Sequence, residues 1–392
     1  MRISELAAFH AAIPLRRTVR HASYTRRAND ALLVRCRLDD GTEGWGEGLP
    51  RPYVTGETIE SAFEQLRAAD LRRQLDGRMD GLRDAIAFCD RLKLPLPAGA
   101  VRDCFGNSVR CAVELSVLDA AARAEGRPLS HVTPLVPETL AIRAAHQRVR
   151  YSAAVTSLRP LKQVAHALFV RLHGFEHVKV KVGAAGVDDE RSLARVRRWA
   201  GPRVDLRIDA NEAWTCETLE AKLAPLLPFR ISACEQPVPH VEVDGLAHVR
   251  PRLPVPIMLD ESLCSQSDAE RAIERGLCDL FNIRLSKCGG FVSSLRLAAL
   301  AHRAGLGFQL GCQVGETGIL SAAGRHFACS VAGLRYLEGS FDRYLVREPL
   351  TRQDLTFGRG GWAPALAGSG LGIDIDPAAL QRVTVAEEHW TI

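Results

Sequence analysis

The feature that most constrains the fold is a repeat of short apolar segments, each ending at a polar or otherwise unusual residue, between positions 151 and 338. Successive ends lie about 25 to 28 residues apart, and a strand ending near Val155 adds an eighth unit. Eight such units predict an α/β protein with a TIM-type (β/α) barrel, whose active site lies at the C-terminal ends of the strands. The predicted strands are 151–155, 178–182, 205–209, 232–235, 257–260, 281–286, 307–310 and 334–337. Their chemically distinctive ends are Lys181, Asp209, Glu235, Asp260, Lys287, Cys312 and Glu338.

The segments on either side of the repeat predict a second, α+β domain. Residues 31–38 and 43–48 read as two strands joined by a turn at Asp39-Asp40-Gly41-Thr42, and helical spacing follows over 58–92 and 108–124. We therefore expect a capping domain over 1–125, a barrel over 126–367 and a tail over 368–392 that returns to the capping domain. Glu47 is expected to pack within the capping domain.

Composition excludes several classes of protein. The 392 residues contain no apolar run of the roughly 18 to 20 that a membrane helix needs, and residues 1–15 lack the pattern of a signal peptide. The eleven cysteines include no CxxC pair, which favours reduced thiols in a cytoplasm. A net charge of +5, with arginines interspersed among acids, argues against a nucleic-acid partner.

The strand ends combine into one constellation. The second and sixth strands of an eight-stranded ring face each other, so Lys181 and Lys287 should approach a common cavity from opposite sides. Asp209, Glu235 and Asp260 end the strands on the arc between them. Each residue alone is typical of a strand face or a helix cap, but three converging carboxylates would repel one another without a cation. The set therefore predicts a divalent metal site, which suits Mg²⁺ best and also Mn²⁺.

The lysines then acquire a chemical role. Lysine occurs only at positions 93, 162, 179, 181, 222 and 287, in a chain that otherwise prefers arginine. A lysine near a metal can lose its proton and act as a base, which arginine cannot. Since a general base supplies about 10²–10⁴-fold of the roughly 10⁶-fold or more that enzymes deliver, the metal must also stabilise an enediolate. We expect removal of the proton beside a substrate carboxylate.

Two alternative functions belong to other classes of protein. A Schiff-base aldolase on the same barrel would use a strand-end lysine but would not need three carboxylates on successive strands. A non-catalytic relative with a binding role could lose a metal ligand or a lysine, and this chain keeps all five.

The motifs resemble those of the enolase superfamily, within it the muconate lactonizing enzyme (muconate cycloisomerase) subgroup. The residues that carry the resemblance are Lys179-Val180-Lys181, Asp209-Ala210-Asn211, Glu235-Gln236-Pro237, Asp260-Glu261-Ser262 and Lys287, in the family's order and spacing, with segments 40–47 and 53–58 similar to its capping domain. The mandelate racemase branch would carry a His-Asp pair in place of Lys287, and the chain lacks it.

The resemblance implies a role for each of these residues. Asp209, Glu235 and Asp260 would bind Mg²⁺, Lys181 and Lys287 would act on opposite faces of the substrate, and Lys179, Asn211 and Glu261 would support them from behind. Substrate choice would come from the capping loops 21–27 and 49–55 and from the seventh and eighth strand ends. The candidate pocket residues are Tyr24, Arg51, Tyr53, Cys312, Glu316 and Glu338. Relatives commonly form homo-oligomers, and the partner of the site would be a small carboxylate.

The reaction itself is predicted less specifically. The main expectation is cycloisomerisation of the muconate lactonizing type. The alternatives are racemisation or epimerisation of dipeptides or N-acyl amino acids, and a dehydration like that of o-succinylbenzoate synthase. Dipeptide epimerases typically show Asp-x-Asp after the last strand to hold the substrate's ammonium, whereas this chain has Tyr336-Leu337-Glu338.

Overall fold

The computed structural model describes residues 1–20, 25–96 and 102–392. Its N-terminal part is a sheet covered by helices. The strands are β1 (Ile3–Arg20), β2 (Thr25–Leu38) and β3 (Glu43–Gly48), and the helices are α1 (Ile59–Ala68), α2 (Leu71–Leu75), α3 (Leu82–Arg91) and α4 (Asn107–Ala124). The predicted hairpin is confirmed, because β2 pairs antiparallel with β3 around a turn in which Gly41 has a φ of 87°.

Two features of this region differ from expectation. The long strand β1 was not predicted, although it pairs with β2 over most of its length. The helical stretch 58–92 is divided into three helices. The breaks follow from local chemistry. Asp70 caps α2 by accepting a hydrogen bond from the Arg73 amide, and α2 ends before Asp76, whose backbone is extended with a ψ of 133°.

Glycines on β3 set the distance between the sheet and α4. Gly44, Gly46 and Gly48 occupy alternate positions and therefore share one face of the strand. A Cβ at Gly46 would lie 2.0 Å from the Ala112 carbonyl oxygen, and one at Gly48 would lie 2.0 Å from the Ser108 carbonyl oxygen. The helix backbone rests directly on the strand because these positions have no side chains.

The barrel contains the eight predicted parallel strands in sequential order. They are β5 (Ala153–Val155), β6 (His177–Lys181), β7 (Asp205–Asp209), β8 (Ile231–Glu235), β9 (Ile257–Leu259), β10 (Leu280–Ile283), β11 (Gly307–Leu310) and β12 (Leu334–Leu337), preceded by β4 (Arg148–Arg150). The Ser152 amide donates to the Leu337 carbonyl at 2.7 Å, which joins the first strand to the eighth. β10 ends earlier than predicted, so Lys287 lies four residues beyond it.

Helices surround the strands as expected for this fold. They are α5 (Pro160–His173), α6 (Asp189–Ala200), α7 (Leu219–Leu223), α8 (Leu246–Val249), α9 (Gln266–Arg275), α10 (Phe291–Arg303), α11 (Gly318–Ser330) and α12 (Asp342–Leu345). Short 3₁₀ helices cover Leu129–Leu135, Pro137–Ile142, Ala224–Phe229, His240–Gly245, Arg250–Arg252 and Arg359–Gly361. No helix in the described ranges is both long and apolar enough to cross a lipid bilayer.

The C-terminal segment contacts both parts of the molecule. Strand β13 (Trp362–Pro364) pairs with β4 beside the barrel. After it come α13 (Pro377–Val383) and β14 (Thr384–Thr391), and β14 pairs antiparallel with β1 as the fourth strand of the N-terminal sheet. The tail therefore returns to the first sheet, where it supplies an edge strand.

The capping sheet and α4 reach the barrel at the C-terminal ends of its strands. Asn107 Nδ2 donates to the carbonyl oxygens of Cys264 and Lys287, both at 2.7 Å. Arg102 donates to the Glu261 carbonyl at 3.0 Å, and the Leu49 amide donates to Ser286 Oγ at 2.8 Å. The capping domain thus fixes the loops that carry the predicted site residues.

Candidate active site

The predicted metal ligands lie side by side because their strands pair in register. Lys181 is opposite Asp209, and Asp209 is opposite Glu235, across adjacent strand ends. Asp260 follows the end of β9 directly. All three carboxylates are buried. The structure therefore brings them together on one arc of the barrel mouth.

Lys179 lies among these carboxylates. Its Nζ is 3.2 Å from Glu235 Oε1 and 3.5 Å from Asp209 Oδ2. It is also 2.8 Å from Glu338 Oε1. Burial acts to lower the pKa of Lys179, but the charges of these carboxylates raise it well above its usual value. The side chain remains an ammonium that neutralises its neighbours, and the supporting role expected for it stays a prediction.

A second cation, Arg284, contacts the other end of the arc and was missed in the sequence. Its guanidinium donates to Asp260 and lies 3.6 Å from Glu235 Oε1. Asn282 also donates to Glu235 Oε1, at 2.7 Å. Asn282 and Arg284 are two residues apart, which places both on the inward side of the sixth strand and its extension. The two-residue spacing of Asn282 and Arg284 is the sequence signal from which Arg284 could have been predicted to point into the barrel.

The electrostatic environment differs among the ligands. Burial raises the pKa of Glu235 to about 7, opposed by Lys179 and reinforced by the charge of Asp209. Burial also acts to raise the pKa of Asp260, but Arg284 and Lys287 outweigh it and hold that pKa below its usual value. Asp260 is therefore an ionised carboxylate held by two cations.

The two lysines predicted to move protons have unlike surroundings. Lys287 is fully buried, and its Nζ donates to Asp260 Oδ1 at 3.0 Å, to the Asn282 carbonyl at 2.9 Å and to the Asp260 carbonyl. Burial acts to lower the pKa of Lys287, but Asp260 raises it. Lys181 is half-buried. Within residues 1–20, 25–96 and 102–392, no group accepts a hydrogen bond from its amine.

Asn211 and Glu261 lie next to the proposed ligands, and the supporting role that the family resemblance implies for them stays a prediction. The Asn211 amide donates to Asp209 Oδ1 at 3.1 Å, from a left-handed backbone with φ of 43°. Its side-chain amide reaches Glu261 Oε1 at 3.4 Å. Glu261 Oε2 is buried and has no hydrogen-bond partner in the described part of the chain. An unpaired buried carboxylate oxygen next to the arc is a place where a cation would be stabilising.

The residues present suit a hard divalent cation by type and by strand position. Carboxylate oxygens on adjacent strand ends are the ligands that Mg²⁺ prefers. As the described side chains stand, however, no three of His, Cys, Asp or Glu form a group that could hold an ion. The Arg284 guanidinium lies between Glu235 and Asp260 and already supplies positive charge there. The type of ligand therefore suits Mg²⁺, and Arg284 would compete with the metal ion for the same carboxylates.

A pocket lies beside the arc at the seventh and eighth strand ends. Its polar walls include the carboxyl groups of Glu316 and Glu338 together with Tyr151 and Ser340. Burial raises the pKa of Glu316 to about 8, although the Gln313 amide donates to it at 2.6 Å. The predicted pocket residues Glu316 and Glu338 are thus brought to one cavity.

The other predicted pocket residues have more varied positions. Cys312 follows Gly311 but is not itself among the residues that line the pocket. Burial raises the pKa of Cys312, and the charges of Glu316 and Glu338 add to the effect. Arg51 is buried, and its guanidinium donates to Asn29 and to the Pro50 and Val314 carbonyls. These contacts favour a role for Arg51 in holding the 313–316 loop, and a substrate contact from it stays a prediction.

Two tyrosines complete the predicted set. Tyr53 is half-buried and packs against the cluster of Val54, Cys104 and Cys264 at the junction of cap and barrel. Tyr24 lies outside the described residues. Neither observation tests a contact with substrate, which stays a prediction for both.

Comparison with known proteins identifies the family. The sequence model of the protein family described as "Enolase C-terminal domain-like" matches residues 161–379, more than half of the chain. The chain belongs to the enolase superfamily. The resemblance inferred from the strand-end motifs is thereby confirmed, and the barrel with a capping domain is the fold of this family.

Individual relatives of the family narrow the chemistry. The chain is 32% identical to a D-Ala-D/L-Ala epimerase from Cytophaga hutchinsonii, over 71% of each chain. It is 27% identical to an N-succinyl-L-Arg/Lys racemase from Bacillus cereus, over 99% of each. A solved dipeptide epimerase from Cytophaga hutchinsonii, complexed with Mg and the dipeptide D-Ala-L-Val, superposes with a TM-score of 0.85 at 25% identity, covering 99% of this chain and 100% of that one.

These relatives favour the alternative reaction over the main expectation. A muconate cycloisomerase from Rhodococcus opacus is 26% identical over 95% of each chain and is the more distant match. Since the relatives are racemases, epimerases and cycloisomerases, this member of the superfamily is an isomerase. Racemisation or epimerisation fits the relatives better than cycloisomerisation does.

Proposed function

We propose that the protein is a magnesium-dependent racemase or epimerase that acts on the α-carbon of N-acylated amino acids. The observation that carries the proposal is the placement of Lys181 and Lys287 at the second and sixth of eight barrel strands, and thus on opposite sides of the mouth. Removing a proton on one face and returning one on the other inverts a stereocentre. The similarity to a racemase and an epimerase supports this over ring closure.

The unlike surroundings of the two lysines suggest how a turnover begins. The Lys181 amine, without a described partner, takes the α-proton from one face of the substrate. Lys287, held as an ammonium by three oxygens, delivers a proton to the other face. For the opposite enantiomer the roles reverse. A positioned acid or base of this kind contributes about 10²–10⁴-fold to the rate.

The remaining rate enhancement requires stabilisation of negative charge. Asp209, Glu235 and Asp260 would hold Mg²⁺, which when bound supplies positive charge beside the substrate carboxylate and favours loss of the neighbouring proton. Lys179 keeps the ligand carboxylates ionised and oriented from behind. The buried position of all these groups strengthens each interaction relative to water.

The state of Glu338 favours an acyl group that carries no ammonium. Glu338 is the acid nearest to the place where dipeptide epimerases carry Asp-x-Asp. Its oxygens accept hydrogen bonds from Lys179 at 3.0 Å and from the buried Arg207. Burial acts to raise the pKa of Glu338, but these two cations lower it to about 2. A carboxylate already paired with two cations offers little attraction to a third.

Proton exchange measured by NMR in D₂O tests the proposal. The panel pairs N-succinyl and N-acetyl amino acids with dipeptides of the same C-terminal residue, and includes muconate. We expect exchange at the α-carbon and inversion with the N-acyl compounds, both abolished by EDTA, and we expect Lys181→Ala to abolish the inversion. Lactonisation of muconate without α-exchange of any amino acid would refute the proposal in favour of a cycloisomerase.

A dipeptide substrate is the second candidate, and Glu316 favours it. This carboxyl lines the pocket beside Glu338, and no cation of the described chain forms an ion pair with it within 4.0 Å. A substrate ammonium could bind there. Faster exchange of dipeptides than of N-acyl compounds, lost in Glu316→Gln, would select this candidate.

A further inference from the structure

Arg284 contacts the proposed metal ligands in the way that a bound cation would. Its guanidinium donates to Asp260 and lies 3.6 Å from Glu235 Oε1, while its side chain is only 12% exposed. Two carboxylates buried side by side require positive charge between them. In this arrangement the chain itself provides that charge, so a divalent cation must compete with Arg284 for Asp260.

The hydrogen bonds of this cluster are incomplete on both sides. Arg284 Nε is buried without a partner among the described residues, and so is Glu261 Oε2. Burial acts to lower the pKa of Arg284, but the charge of Asp260 and, next in strength, that of Glu261 raise it well above its usual value. One unpaired donor thus belongs to a residue that contacts Asp260, and one unpaired carboxylate oxygen belongs to the residue that follows Asp260 in the chain. Joining the two would satisfy both.

We infer that Arg284 is an internal counter-cation that exchanges Asp260 for Glu261 when a divalent metal ion binds. The inference rests on the metal site of the proposed function. Without metal, Arg284 holds Asp260 and prevents repulsion within the arc. With metal, Asp260 becomes a ligand and the guanidinium turns to Glu261, whose side chain is adjacent in sequence and already held by Asn211 on its other oxygen.

Arg284 is a positioning residue in this account, since it acts through the carboxylates and touches no substrate. Its effect is therefore sought in metal binding and in the stability of the metal-free protein. Both are measured without substrate, which separates this inference from the reaction. Titration calorimetry with MgCl₂ gives the dissociation constant, and thermal unfolding in EDTA gives the melting temperature.

Arg284→Met removes the competitor and leaves Asp260 with Lys287 alone. We expect a lower melting temperature in EDTA and a dissociation constant for Mg²⁺ about tenfold to a hundredfold smaller, since a charged hydrogen bond no longer has to be broken. Arg284→Lys keeps the charge and serves as a second variant if the first does not fold. Arg207→Met is the matched control, because it removes a buried arginine that pairs with Glu338 and contacts none of the three proposed ligands.

A double-mutant cycle tests whether the Arg284 guanidinium contacts Glu261 once the metal ion is bound. Glu261→Gln removes the carboxyl group that receives the guanidinium, so it should weaken Mg²⁺ binding about tenfold in the wild-type background and have little effect in the Arg284→Met background. Unchanged or weaker Mg²⁺ binding in Arg284→Met would overturn the exchange alone. Failure of the wild-type protein to bind Mg²⁺ at all would overturn the metal site and the exchange together.

Discussion

Replacing Glu47 by glutamine should remove a pH dependence from the stability of the protein. Glu47 was expected to pack within the capping domain, but its side chain reaches from β3 to the start of barrel helix α11, where it is fully buried. Its Oε2 accepts hydrogen bonds from Thr317 Oγ1 at 2.7 Å and from the Leu320 amide at 3.0 Å, at the start of α11. Burial raises the pKa of Glu47 to about 7 despite these bonds.

The sign and size of the effect follow from linkage between proton binding and folding. The folded protein binds the Glu47 proton more tightly than the unfolded chain does, because the pKa of a glutamate in the unfolded chain is 4.5. The resulting stabilisation is fully present below the unfolded pKa and is lost as the pH rises through the folded pKa. At roughly 1.4 kcal/mol per pH unit the total is about 3 kcal/mol, of which about 2.5 kcal/mol disappears between pH 5 and pH 8.

Urea unfolding of the wild type and of Glu47→Gln at pH 5, 6, 7 and 8 provides the assay. Other buried carboxyls such as Glu114 affect both proteins equally, so they cancel in the difference between the two free energies of unfolding. We expect that difference to change by about 2.5 kcal/mol across the range, and to stay constant for the exposed control Glu60→Gln. A constant difference for Glu47→Gln would refute the reasoning and would mean that the N-terminus of α11 keeps the carboxylate ionised throughout.

Three further predictions concern the lysines, the cap and its contact with the barrel. Lys181→Ala and Lys287→Ala should each abolish racemisation, yet each should retain deuterium exchange with the one enantiomer whose α-proton faces the remaining lysine, as NMR in D₂O would show. Gly46→Ala should destabilise the protein by more than about 3 kcal/mol in urea unfolding, because the new methyl would collide with the α4 backbone, whereas Gly358→Ala, with ordinary clearance, should be nearly neutral. Asn107→Ala should lower the free energy of unfolding by about 2 kcal/mol, since two carbonyl oxygens lose their donor; an unchanged value would mean that water replaces the amide.

The barrel and its strand ends could be predicted from the sequence because they leave a local signal. A strand buried on both faces is a short apolar run, and a polar residue at its end interrupts that run visibly. The constant spacing of such interruptions then gives the number and order of the strands. Asp209 and Glu235 were found in this way, and the register that sets them side by side follows from parallel pairing.

Strand β1 could not be predicted because its sequence lacks a clear strand pattern. It is rich in alanine, at positions such as Ala7, Ala8 and Ala11. Alanine is under-represented in strands, and here it blurs the alternation of buried and exposed residues. One of its partners, β14, lies at the far end of the chain. Its identity as a strand is decided by that distant pairing, which no local window contains.

The contacts of Arg284 were also beyond the sequence. Alternation with Asn282 predicts that the side chain points inward, but a long side chain can reach several neighbours once inside. Its choice of Asp260 over Glu261 depends on the positions of two loops that come from different strands. Tertiary packing decides which carboxylate the arginine contacts. The sequence shows only which residues are candidates for the contact.

The distribution of lysine and arginine within the site has a physical reason that refines the interpretation of the lysines. Lys179 was expected to support the site from behind, and its three carboxylate partners hold it as a permanent cation. A permanent charge could come from arginine, as it does at Arg284. At Lys179 the charge must lie within 3.5 Å of carboxylates on three different strands, which a compact ammonium can do and a planar guanidinium, with donors in one plane, cannot. Lysine at 179 is therefore explained by shape, and proton transfer needs to account only for Lys181 and Lys287.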